Sequence, residues 1–153
     1  MRSHWKSALA AAAVALLTLT AVATAVETQT GDTLSLTGEY DELLLVAGGE
    51  ITISIAATDD VAVAGGDLSV RDSSFKHVFL AGGEISFVES AADDFFAAGG
   101  EIDLLTGHIT DDLIAVGGKI TLGPGARVDS DVVIAGGRLR IESPIGGDLR
   151  AAG

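Results

Sequence analysis

The sequence predicts an all-β fold, a single-stranded parallel β-helix in which one repeated coil stacks on the next. Three observations predict it: a Gly-Gly pair recurs at nearly constant spacing, apolar residues occupy fixed positions around that pair, and apolar and polar residues alternate between them. The chain has 153 residues, of which 48% are hydrophobic and 5% aromatic, with 20 glycines and no cysteine. This composition suits a thin, regular interior and excludes disulfide scaffolds, thiol catalysis and thiolate metal sites.

Residues 1–25 have the pattern of a secretory signal peptide. Two basic residues precede an apolar run from Ala8 to Val22, and residues 23–25 read Ala-Thr-Ala, the small-x-small pattern that signal peptidase accepts. The apolar run, about 15 residues, is shorter than the ~20 that a membrane-spanning helix needs, which disfavours a retained anchor. We therefore predict cleavage after Ala25 and export to the periplasm or the cell surface.

The repeat domain is predicted to span residues 39–153, and residues 26–38 to form a lead-in or cap. The Gly-Gly pairs are separated by 17, 17, 17, 18 and 19 residues, and Gly153 falls 17 residues after the last pair begins. This period predicts about seven coils of 17–19 residues, the last incomplete. The structural repeat glycines are Gly48, Gly49, Gly65, Gly66, Gly82, Gly83, Gly99, Gly100, Gly117, Gly118, Gly136 and Gly137. We expect them to mark a tight corner, where glycine permits positive φ and close approach of neighbouring backbones.

Four apolar columns predict the first two faces of each coil. Counted from the first glycine of each pair, positions −4 and −2 are apolar in every coil, as in Leu44 and Val46, and so are positions +3 and +5, as in Ile51 and Ile53. A mostly polar residue separates the members of the second set, which is the alternation of a half-buried strand. Gly-Gly pairs and apolar stretches of four to six residues argue against helices, and hairpin meanders do not require a fixed period.

A third, shorter face is predicted at position −8. This column contains Tyr40, Ala57, Ser74, Ala91, Ile109, Val128 and Ile145. We expect insertions at corners, where Gly123-Pro124-Gly125 lengthens one coil and an extra residue near Gly107-His108 lengthens another.

Net charge restricts the partners. The formal charge is −13, and removal of residues 1–25, which contain two basic and no acidic side chains, makes it −15. A chain this acidic is not expected to bind nucleic acid or anionic membrane surfaces. Residues 26–112 contain 18 acidic and two basic side chains, whereas residues 113–153 contain four and five. The negative charge of the predicted rod is therefore concentrated in residues 26–112, and this asymmetry favours head-to-tail self-association.

Acidic residues recur at two corners. One set precedes the first face (Asp59, Asp60, Asp93, Asp94, Asp111, Asp112, Asp129, Asp131 and Asp148), and the other follows Gly-Gly (Glu50, Asp67, Glu84 and Glu101, then Lys119 and Arg138). The Gly-Gly-x-Gly-x-Asp motif of calcium-binding β-rolls does not match. Solvated corners are the favoured reading and weak binding of divalent cations the alternative, so no metal site is assigned. Lys76 and His77 interrupt the acidic column, and His77 is expected to be a charge partner of Asp60 and Asp94.

The sequence offers no catalytic site and no cofactor site. His77 and His108 are the histidines that remain after residue 25, and no serine lies in a nucleophile-elbow motif. Among the aromatic residues outside the predicted inward columns are Phe75, Phe79 and Phe96. Phe79 and Phe96 fall in one outward column beside Ala62 and Ile114, an apolar strip of the kind that packs against a neighbouring chain or loop.

The repeat resembles the bactofilin, or polymer-forming cytoskeletal, family. The residues that carry the resemblance are Asp-Val-Val-Ile-Ala-Gly-Gly-Arg-Leu-Arg-Ile (131–141) and Ile-Gly-Gly-Asp-Leu-Arg-Ala-Ala-Gly (145–153). The resemblance implies a right-handed, three-faced β-helix that assembles end to end, without nucleotide, into filaments that scaffold envelope proteins. Typical bactofilins are cytoplasmic and rarely contain Gly-Gly so regularly, so this chain resembles an exported relative.

The sequence thus predicts a non-catalytic structural or self-assembling scaffold of the cell envelope. Its expected partners are further copies of itself, met end to end, and envelope proteins or polysaccharide. The alternative is a surface carbohydrate-binding or adhesin-like β-helix module.

Overall fold

The computed structural model describes residues 26–153 as a β-helix, which confirms the predicted fold class. The predicted signal peptide and its cleavage site lie at residues 1–25, outside the described residues. The strands are β1 (Val26–Tyr40), β2 (Leu43–Ala57), β3 (Val61–Arg71), β4 (Ser74–Val88), β5 (Ser90–Ile109), β6 (Leu113–Val128), β7 (Val132–Ile141) and β8 (Leu149–Ala152). Each pairs in parallel with the next, in the order β1 to β8. Residues 26–153 contain no helix long and apolar enough to cross a membrane.

The Gly-Gly pairs set the register of the stack. Gly48 pairs with Gly65, Gly65 with Gly82, and the same position continues through Gly99 to Gly117 and Gly136. The apolar columns follow this register, so that like residues lie above one another along the rod. Most of the long strands bend through the Gly-Gly corner and continue onto the next face.

Residues 26–38, predicted as a lead-in or cap, belong to the first rung of the ladder. Gly31 pairs with Gly48, and Leu34 and Leu36 lie in register with the inward residues of β2. Leu36 is buried and Leu34 half-buried. This rung contains a single glycine followed by Asp32, so the spacing of Gly-Gly pairs does not indicate it.

The core is a narrow column of aliphatic side chains with three phenylalanines at its centre. Phe87 and Phe95 are fully buried and meet edge to face, with ring centroids 5.0 Å apart. Phe75 packs beside Phe87 at 6.4 Å. In the coil of Phe95, the inward residues Ala92 and Ala97 are small, which leaves room for the rings.

The third face differs from the prediction in β4 and β5. Ser74 is exposed and Ala91 half-buried, whereas Phe75 and Ala92 are 5% and 2% exposed. The predicted column is therefore wrong by one residue in these two coils, and Phe75 is a core residue. The shift begins at the preceding corner, where Asp72 and Glu89 take φ values of 46° and 50° and lengthen the corner by one residue.

Two buried serines hold these corners. The Ser73 hydroxyl accepts the Ile55 N–H (3.1 Å) and donates to the Arg71 carbonyl (2.8 Å). The Ser90 hydroxyl accepts the Ser73 N–H (3.1 Å) and donates to the Val88 carbonyl (2.8 Å). These bonds satisfy backbone groups that the left-handed corner removes from the ladder, and left-handed φ costs about 1–2 kcal/mol in a residue with a side chain.

The corners also explain the changing length of the repeat. Before β4, the corner at Asp72 is one residue longer and the corner that precedes Val78 is one residue shorter. The corners at Glu89 and before Phe95 differ in the same way in the next coil, so the period stays at 17 residues. The 18-residue coil has the longer form of both corners. The 19-residue coil contains Gly123-Pro124-Gly125, and where it pairs with β5 the register shifts between Leu104 and Thr106.

The glycines of most pairs, first and second alike, are required by close packing of successive coils. A Cβ at Gly99 would lie 2.7 Å from the carbonyl oxygen of Gly82, and one at Gly117 would lie 2.8 Å from that of Gly99. Among residues 26–153, the glycines with φ in the left-handed region are Gly38 and Gly107, and neither belongs to a pair. Close approach of backbones therefore explains the Gly-Gly pairs, and the expected positive φ was wrong.

Candidate interaction surface

An outward apolar face lies on the strand segments that precede the Gly-Gly corners. We define the apolar face as Leu45, Ala62, Phe79, Phe96, Ile114 and Val133, with the neighbouring outward column Ala47, Ala64, Ala81, Ala98, Val116 and Ala135. The side chains of Phe79, Ile114 and Val116 are 41%, 38% and 56% exposed. Both sides of this sheet segment are thus apolar, whereas the other outward columns are mostly polar.

Phe79 and Phe96 form the centre of the apolar face, as the sequence predicted. Their rings are stacked, with centroids 4.7 Å apart and planes inclined by 6°. A shallow groove of about 260 Å³ runs beside them, lined by alanines and by Leu45 and Ile114. Each ring covers one face of the other.

The acidic corner before the apolar face is a hydrogen-bonded ladder. Asp94 accepts the backbone N–H of Asp112 (3.2 Å), Asp112 accepts that of Asp131 (3.2 Å), and Asp131 accepts that of Asp148 (2.8 Å). Each carboxylate therefore points along the rod toward the next coil. The ladder supports the backbone, and its carboxylates are exposed or partly exposed to solvent, as expected for the favoured solvated corner.

His77 lies between two carboxylates of the same column, which confirms the predicted partnership. Its Nδ1 is 2.7 Å from Asp60, and its Nε2 is 3.4 Å from Asp94. Protonated, the ring can donate to both neighbours and offset their repulsion.

Ion pairs accompany the aspartate ladder in the coils toward residue 153. Lys119 contacts Glu101 across successive rungs, and the hydrogen bond that Lys119 donates to Glu101 is the main cause that raises the pKa of Lys119. Arg127 Nε (2.5 Å) and His108 Nε2 (2.7 Å) both contact the Asp129 carboxylate. The hydrogen bond from Arg127, followed by that from His108, lowers the pKa of Asp129.

Metal-ligand clusters and buried hydroxyls are the remaining features of chemical interest. No group of three or more His, Asp or Glu side chains within residues 26–153 is arranged to hold a metal ion. Ser73 and Ser90 are 5% and 4% exposed, and their hydroxyls are bonded to the backbone. The groove on the apolar face has no titratable side chain in its lining.

Sequence reasoning located the apolar strip and His77 but missed the aspartate ladder and the serine corners. The ladder had a detectable signal, because Asp94, Asp112, Asp131 and Asp148 each lie five positions before a repeat glycine. No protein-family model, curated protein sequence or solved structure matches this chain.

Proposed function

We propose that this chain is an exported, non-catalytic scaffold protein of the cell envelope that assembles end to end, in the manner of bactofilins. The observation that carries the proposal is the continuous parallel ladder from β1 to β8. A ladder of this kind is extended when a further coil pairs with a terminal strand. The cell envelope as its location rests on the predicted signal peptide.

The charge distribution supports head-to-tail contact. The net charge is −16 over residues 26–112 and +1 over residues 113–153. Contact between unlike ends brings the acidic part of one rod to the less acidic part of the next, whereas contact between two acidic ends is repulsive. Repeated head-to-tail contact generates a filament.

A proline substitution in β1 tests the end-to-end contact. The backbone N–H groups of inward residues donate to the next coil, as Leu44 does to the Asp60 carbonyl. Those of outward residues donate to the preceding coil, as Thr58 does to the Tyr40 carbonyl. Thr28, in register with Leu45, therefore directs its N–H away from β2. We expect Thr28→Pro to shorten or abolish filaments because it removes an edge donor without breaking the β1–β2 ladder.

The matched control is Thr52→Ser, which changes an exposed residue of β2 without removing a backbone donor. Light scattering at low and high salt gives the size of each protein. Filaments of unchanged length in Thr28→Pro, or a strict monomer for the unaltered chain in both salts, contradict the proposal.

The carbohydrate-binding alternative has less support. Its aromatic candidates are Phe79 and Phe96, each of which has one ring face covered by the other and so unavailable for stacking on a sugar. A screen against envelope polysaccharides, with and without calcium, separates the two proposals. Saturable binding that Phe79→Ser weakens at least tenfold favours the adhesin-like module over the scaffold.

A further inference from the structure

We infer that the apolar face is an interface between two copies of this chain, packed face to face with their rods antiparallel. This inference goes beyond end-to-end assembly because it uses one side of the rod. Phe79 of one copy then lies opposite Phe96 of the other, on either side of a two-fold axis that runs parallel to the strands. Such a contact closes on itself and adds a single partner.

The apolar face has limits that suit a closed pair. Along the rod it ends at Thr28 and Thr30 on β1, which pair with Leu45 and Ala47, and at Arg150 on β8, which pairs with Val133. Between these limits no outward residue of its two columns is charged. The two-fold axis sets each outward column against the same column of the second copy, so the Phe79 and Phe96 rings of both copies meet at the centre of the contact.

The area fits a weak, reversible dimer. Six rungs at about 4.8 Å and a strand segment of about five residues at 3.3 Å give roughly 450 Å² per copy. The total, roughly 900 Å², lies at the lower end of specific interfaces, where association is typically micromolar or weaker. Burial of the rings and of Ile114 and Val116 removes the largest exposed apolar side chains of this face from water.

Charge favours the antiparallel arrangement. On the rim that follows the Gly-Gly corners, acidic residues lie on β2 to β5 (Glu50, Asp67, Glu84 and Glu101) and basic residues lie on β6 and β7 (Lys119 and Arg138). Reversal of the second rod brings β2 to β7, β3 to β6 and β4 to β5, so Glu50 meets Arg138 of the other copy. Glu84 meets Glu101, whose carboxylate is already paired with Lys119 of its own copy. Because the axis relates the two rims, each such contact occurs twice. Neither Glu50 nor Arg138 forms an ion pair within residues 26–153 of one copy.

The opposite rim contains the aspartate column, and its charges are partly compensated within each copy. Asp60 and Asp94 contact His77, and the Asp94, Asp112 and Asp131 carboxylates accept backbone N–H groups of the next coil. These side chains point along the rod. The residual repulsion across this rim limits the affinity, and we expect tighter pairing as salt screens it.

Sedimentation velocity on the chain expressed from its full sequence tests the inference, with the processed N-terminus identified by mass spectrometry. We expect a concentration-dependent species of twice the monomer mass between about 1 and 100 μM. The double variant Phe79→Ser/Phe96→Ser is expected to weaken pairing at least tenfold with an unchanged circular dichroism spectrum. Leu105→Ser is the matched control, because Leu105 is 43% exposed and lies outside the apolar face.

A charge exchange tests the orientation. Glu50→Arg makes two attractive contacts repulsive and is expected to weaken pairing about tenfold. Glu50→Arg/Arg138→Glu is expected to restore it to within about threefold of the unaltered chain. Equal weakening in the single and double variants contradicts the antiparallel arrangement.

The outcomes separate this inference from the proposed scaffold. Filaments that persist in Phe79→Ser/Phe96→Ser, with no loss of a lateral pair, overturn the inference and leave end-to-end assembly intact. A dimer that never grows beyond two copies, and that this variant dissociates, supports the inference and contradicts the filament. A monomer at 100 μM, including one whose apolar face is covered by residues 1–25, overturns the inference.

Discussion

Single residues decide how closely the coils of this β-helix approach one another. A Cβ at Gly136 would overlap the carbonyl oxygen of Gly117 in the preceding coil, whereas a Cβ at the adjacent Gly137 would lie 3.3 Å from that of Gly118. The two glycines of this pair are therefore not equivalent, and Gly137 tolerates a small side chain. In the pairs at 65–66 and 82–83, a Cβ on either glycine would lie 2.8–3.1 Å from a carbonyl oxygen of the preceding coil.

The comparison of these two glycines gives a stability prediction. We expect Gly136→Ala to lower the free energy of unfolding by about 2–3 kcal/mol, because a backbone oxygen cannot move away as a flexible side chain can. Gly137→Ala is expected to change it by less than about 1 kcal/mol. Urea unfolding of both variants measures the difference, and equal losses contradict the packing role assigned to the first glycine.

A second residue-scale prediction concerns Asp129. Arg127 is the main cause of its lowered pKa, so Arg127→Gln should raise the Asp129 pKa toward the ordinary 3.8, and His108→Gln should raise it less. Because the folded-state pKa is depressed, the associated stability is present above pH 3.8 and is lost as the pH falls through the folded value. A carbon-detected NMR titration measures this midpoint, and an ordinary value in the unaltered chain contradicts the assignment.

At the scale of strands and corners, the sequence predicted the regular parts and missed the irregular ones. The columns around Gly-Gly follow from alternation and period, which are local properties of the chain. The third face of β4 and β5 does not, because its register depends on how Ser73 and Ser90 bond to neighbouring coils. The repeat length of 17 is the same for either arrangement of corners, so spacing alone could not distinguish Ser74 from Phe75.

The serine corner yields a prediction for this scale. Ser73→Ala leaves the Ile55 N–H without its acceptor in a buried corner, and we expect a loss of about 1–3 kcal/mol in the free energy of unfolding. Ser86→Ala, a half-buried outward serine in β4, is the matched control and should change stability by less than about 0.5 kcal/mol. Chemical denaturation distinguishes them, and a neutral Ser73→Ala rules out the structural role of this hydroxyl.

At the scale of the whole molecule, the rod combines an open parallel ladder, an apolar side and a lopsided charge. The ladder and the charge favour growth along the rod, and the apolar face favours one lateral partner. Together they predict filaments built from paired rods. The sequence indicated the ladder, the charge and the central strip of this face, but the self-complementarity of the face required the register of β2 to β7.

Electron cryomicroscopy of the purified, processed protein tests end-to-end assembly most directly. A continuous ladder predicts filaments whose averaged images show a strong layer line at about 4.7–4.9 Å, because the spacing of paired strands continues across each junction between copies. Discrete rods of one or two copies, with no filament at any salt concentration, would contradict the account.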